Sequence, residues 1–176
     1  MIIRLQPLPD ELDMGYLGRL LQMNGVTSEK TFAELAIDFG NQDGEFSMAD
    51  LLADIAGVSL QKFVMRHSTL PLRRAITSHR PDVAHGFLKG KYLLSSFCRH
   101  IAQQGAQFCL ECVKADQVFH GFSYWRRTHQ LPGVMWRAKH RTNLWRSHGR
   151  EQFFISPAKS GNSAVQLQGD WIEQAK

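Results

Sequence analysis

The residues best placed to do chemistry in this chain are Cys109-Leu-Glu-Cys112, with His120, His129, His140 and His148 downstream. Thiolates and imidazoles are the donors zinc prefers, and a structural zinc site closes with four of them in a tetrahedron. A CxxC pair also serves thiol–disulfide exchange, but no βαβ pattern surrounds this one, so the redox reading loses ground. No second cysteine pair follows it. The third cysteine, Cys98, lies beside Leu94 and Ile101 and reads as a small packed apolar residue.

No catalytic constellation accompanies the cluster. The chain has no GxxxxGK[ST], no GxSxG and no HExxH. Residues 117–150 contain no acidic residue, whereas a nuclease or transposase needs carboxylates there to hold divalent metal. A hydrolytic zinc site on the two cysteines and a downstream histidine would need a base, and Glu111 is the acid nearest the pair in sequence. The chain therefore reads as a non-enzyme.

Charge points instead to a macromolecular partner. Residues 1–50 hold nine acids and three bases, while 117–150 hold seven bases: Arg126, Arg127, Arg137, Lys139, Arg141, Arg146 and Arg150. A basic end suits an anionic partner, most often a nucleic acid. Arginines beside Tyr124, Trp125, Trp136 and Trp145 could meet phosphates, while the tryptophans are expected to form a small core. A solvated basic face without a partner is the plainer alternative.

These residues need elements to position them. Residues 11–24 carry Leu12, Tyr16, Leu17, Leu20 and Leu21 at helical spacing, stopped by Asn24-Gly25. Thr27 or Ser28 can cap a second helix with Phe32, Leu35, Ala36 and Phe39 on its apolar face, and 40–44 read as a polar loop. Ser47 caps a third helix, Gly57 makes a turn, and Ser59 caps a fourth running to about His67. This spacing is that of a helix-turn-helix, with Gln61, Lys62 and Arg66 facing outward to meet DNA or a protein. A purely structural hairpin shares the spacing, and Asp50 and Asp54 would repel phosphate. A further helix is expected over 91–104, stopped by Gly105.

The expected architecture is mainly α: a helical helix-turn-helix domain over 1–97, a small zinc-ribbon-like domain over 98–150, and a tail over 151–176. No apolar run is long enough for a membrane span. The odd cysteine count argues against a disulfide framework, so a reducing cytoplasm is the expected compartment.

One stretch carries a family resemblance. Cys109-Leu-Glu-Cys112, Tyr124-Trp-Arg-Arg-Thr-His-Gln-Leu-Pro-Gly-Val134 and Lys139-His140 together resemble the zinc-binding core of TniQ/TnsD-type transposition proteins. Leu8-Pro-Asp-Glu-Leu12, Ile55-Ala-Gly-Val-Ser-Leu60 and Thr69-Leu-Pro71 are similar to the flanking parts of that family. The resemblance implies a target-selection adaptor that links DNA or a CRISPR surveillance complex to a transposition ATPase and transposase. It also implies zinc on Cys109, Cys112 and His140. The family's remaining cysteine position falls on Arg137 here, leaving His129, a water or nothing as the fourth ligand. Read from the helix-turn-helix face and the basic stretch, the candidate contact residues are Gln61, Lys62, Arg66, Arg126, Arg127, Arg137, Lys139 and Arg141. Homodimerisation is left open, and the rival class is a small helix-turn-helix transcriptional regulator.

Overall fold

The computed structural model describes residues 2–38, 47–71 and 105–168. The helix expected over 91–104, Cys98, Phe39 and the loop 40–44 lie outside them.

The N-terminal half is helical. Helices α1 (Asp13–Met23), α2 (Glu29–Asp38), α3 (Met48–Ile55) and α4 (Leu60–His67) follow the expected boundaries closely. Local chemistry explains these boundaries. Ser47 and Asp50 form a reciprocal capping box, and Ser59 accepts from the Lys62 amide. Gly57 takes φ +66° between α3 and α4, a conformation glycine adopts without strain. Tyr16, Leu17, Leu20, Phe32, Leu52, Ala53, Ala56 and Phe63 form the core beneath them. Leu35, expected on the apolar face of α2, is 39% exposed, while Phe32 and Ala36 are buried and Ala33 packs against the same core.

The second half pairs a short helix with small sheets. Strand β1 (Gly105–Phe108) leads into α5 (Leu110–His120), and β2 (Trp136–Arg137) pairs with β3 (Thr142–Asn143) in a hairpin. Strand β4 (Trp145–His148) lies between β1 and β5 (Val165–Gln166), antiparallel to both. The single-turn helix α6 (Pro157–Ser160) precedes β5. The stretch 151–167, for which the sequence allows a tail or a strand, supplies an edge strand, and Phe153 is buried in a core cluster.

Helix α1 joins the halves. Its far side, with Leu12 before it, packs Met14 into a second core with Ala106, Phe108, Val113, Trp125 and Phe153. The backbone follows: the Leu12 amide donates to the Trp125 carbonyl at 2.7 Å, and Glu11 bridges to Arg126. A helix buried nearly all round must approach its neighbours closely. A Cβ on Gly18 would sit 2.5 Å from the Phe153 carbonyl oxygen and 2.8 Å from the Phe154 Cα. Gly18→Ala in a helix interior ordinarily gains up to about 1 kcal/mol. Here overpacking against backbone outweighs that, and a net loss of about 1–3 kcal/mol is expected in urea unfolding. A neutral or stabilised variant would show that this contact is loose.

Asp13 begins α1 fully buried, its Oδ1 accepting from the Met14 amide at 2.7 Å. Burial raises its carboxyl well above the usual range, against smaller lowering effects of that hydrogen bond and of Arg127. The folded state therefore holds this proton more tightly than the unfolded chain. Stability from that proton is complete below the unfolded carboxylate value, near pH 4, and is lost as pH rises through the folded value. Asp13→Asn keeps an acceptor and removes the desolvation cost. Its melting temperature should exceed the parent's at pH 8, with the difference closing toward pH 4. A lower melting temperature at pH 8 would show that the ionised carboxylate is stabilising.

Candidate metal centre and basic faces

The thiol pair sits at the start of α5, not on an isolated knuckle. Cys109 is the residue before the first turn, Cys112 lies within it, and Gly121 closes the helix at φ +78°. Periodicity concealed this helix because only Cys112, Val113 and Asp116 are buried on it. Gly121, a left-handed stop, was the available signal.

The β2–β3 hairpin carries the third donor. Its connection, 138–141, includes Arg141 at φ +53° and brings His140 Nδ1 to 3.3 Å from Cys109 Sγ and 3.5 Å from Cys112 Sγ. The ligand atoms of Cys109, Cys112 and His140 all lie within 4.8 Å of one another. A tetrahedral zinc site with ordinary Zn–S and Zn–N lengths has sulfur–nitrogen edges of about 3.6 Å. The two measured edges fit such an ion. Thr142 Oγ1 stands 3.4 Å from Cys109 Sγ, placed to support a thiolate. Both cysteines are free thiols, and burial pushes Cys112 up to about 11, with Cys109 adding to the rise.

His129 meets this trio at Cys112, with Nε2 3.8 Å from Sγ, and lies outside the mutually close group. It is 2% exposed. Burial, then Arg137 and Arg126, push it down to about 3, so its imidazole is neutral at ordinary pH.

The remaining motif residues prove to be clamps. Tyr124 donates to the Pro9 carbonyl at 3.2 Å, and the Trp125 indole donates to the Ile155 carbonyl at 2.8 Å. Arg126 pairs with Asp116 at 2.5 Å and stacks on Tyr124. Arg127 pairs with Asp10 and donates to the Met65 carbonyl near the end of α4 at 2.6 Å. Gln130 exchanges hydrogen bonds with the Gln107 backbone, at 2.9 and 2.6 Å, on β1. Asp116 was not singled out from the sequence, and Asp10 and Gln130 entered only inside motif strings without a role, since partners far along the chain leave no local pattern.

The cations read as contact residues therefore divide. Arg126 and Arg127 have side chains only 19% and 29% exposed, with their charges met inside the fold. Arg137 is half-buried with Nη1 3.5 Å from Thr128 Oγ1, and no carboxylate pairs with it among the described residues. Lys139 and Arg141 are exposed on the hairpin, and Gln61, Lys62 and Arg66 are exposed on α4. The acids feared there are occupied: Asp50 caps α3, and Asp54 lies 3.6 Å from Arg4. Of the expected core tryptophans, Trp125 is 1% exposed and Trp145 half-buried, but Trp136 is 48% exposed. The two-residue strand that carries Trp136 offers too little cover for a large ring.

A helical bundle with a turn-linked helix pair, joined through one shared helix to a small sheet unit bearing a Cys/Cys/His cluster, defines a compact two-part scaffold with a candidate metal centre. The TniQ family model matches residues 2–144, and the chain belongs to the TniQ family, a transposition-related one. No curated protein matches the chain. Among the described residues no helix is long and apolar enough to cross a membrane.

Proposed function

We propose that this chain is a non-catalytic adaptor for target selection in DNA transposition, working in the cytoplasm. The family match over 2–144 carries this reading. It contacts DNA, transposition proteins or both through its outward cations: Lys62 and Arg66, with Gln61, on α4, and Lys139 and Arg141 on the β2–β3 hairpin. The transposition ATPase and transposase are the expected protein partners, and a CRISPR surveillance complex is the expected source of the target in systems that carry one. Cys109, Cys112 and His140 would hold zinc, which supplies a structural cross-link between the start of α5 and the hairpin. The α3–α4 pair acts in this reading as a docking helix-turn-helix.

Binding tests separate the classes. Titration with random and target duplexes at low and high salt should give weak binding that falls steeply with salt. The transposition ATPase of the same source should be retained on the immobilised chain, and Lys62→Glu with Arg66→Glu should weaken one or both contacts. A preference of roughly 10³ or more for one duplex would instead identify an operator-reading regulator. Indifference to DNA and to transposition proteins alike would overturn the proposal.

A further inference from the structure

We infer that His129 Nε2 is the fourth ligand of the metal centre, which makes the site Cys109, Cys112, His129 and His140. The inference rests on the zinc reading above and specifies how its tetrahedron closes. Three donors leave one corner vacant, and structural zinc sites are almost always four-coordinate. Position 137 faces the cluster, since Arg137 is paired across the hairpin with Thr142, whose hydroxyl touches Cys109. A guanidinium has no lone pair to give a metal. The vacant corner must be filled by another group.

His129 is the group at hand. Its Nε2 lies 3.8 Å from Cys112 Sγ, close to the roughly 3.6 Å edge of a mixed sulfur–nitrogen tetrahedron. Both residues are buried, at 2% and 5% exposure, so this corner is closed to the exchangeable water that an open site keeps. Its backbone is held from both sides: its amide donates to the Arg126 carbonyl at 3.3 Å, and the next residue, Gln130, is clamped to β1. Because His129 stands outside the mutually close trio, metal binding draws its imidazole inward. Two thiolates also balance the two charges of the ion, which suits a corner where Arg137 already supplies a positive charge.

X-ray absorption at the zinc edge of the full chain, purified and loaded with one equivalent of zinc, tests this. Two sulfurs and the outer-shell scattering of two imidazoles are expected. His129→Gln should lower zinc affinity, measured by chelator competition, by more than the roughly 10–100-fold typical of losing an outer-shell partner. Adding Arg137→Cys to that variant should restore affinity with three sulfurs and one imidazole. One imidazole in the wild-type spectrum, or unchanged affinity in His129→Gln, would overturn the assignment while leaving zinc binding intact. Failure of the wild-type chain to bind zinc at all would overturn the metal reading itself.

Discussion

Arg19→Met is expected to cost about 3–5 kcal/mol of stability, because it strands a buried carboxylate. Glu11 is fully buried, and Arg19 grips both of its oxygens, Nε to Oε1 at 2.6 Å and Nη2 to Oε2 at 2.8 Å. Burial raises the Glu11 carboxyl, and the Arg19 hydrogen bond and charge oppose that rise. Removing the guanidinium leaves only the Leu8 amide and the more distant His120 to oppose it. Combining Arg19→Met with Glu11→Gln should recover much of the loss, since no charge then remains buried without a partner. Urea unfolding of the four proteins measures the coupling. If Arg19→Met alone costs under about 1 kcal/mol, the pair behaves as a surface pair and this account fails. The effect extends to the α4 end, because the Glu11 carbonyl lies 2.9 Å from His67 Nδ1.

Trp125→Ala should be equally damaging, at about 3–5 kcal/mol. The ring packs edge-on against Phe108 and Phe153, with centroids 5.8 and 5.4 Å away. Truncation leaves a large void, and it also leaves the Ile155 carbonyl without its indole donor. A fall in melting temperature of roughly 6–20 °C is expected for a chain of this size. Trp125→Phe keeps most of the volume and should lose less. Equal losses for Ala and Phe would place the effect in the hydrogen bond and not in packing.

The helical half was readable because its signals are local. Ser47, Gly57 and Ser59 mark caps and a turn that neighbouring residues alone determine, and the structure follows them within a residue or two. The second half was less readable. Its strands are two to four residues long, and α5 buries too thin a face to give a period. Cys109 and Cys112 were legible through donor chemistry and His140 through the family resemblance, whereas the fate of Arg126 and Arg127 depended on Asp116 and Asp10, set by long-range folding. Basic composition alone could not distinguish an arginine that faces solvent from one that staples the interior.

The family match stops at residue 144, yet β4 and β5 lie wholly beyond it. Cutting at that border would strip β1 of its antiparallel neighbour and unroof the indole that Phe153 covers. A fragment defined by family likeness alone should therefore expose a sticky seam and precipitate, while one carried through residue 168 keeps its own lid.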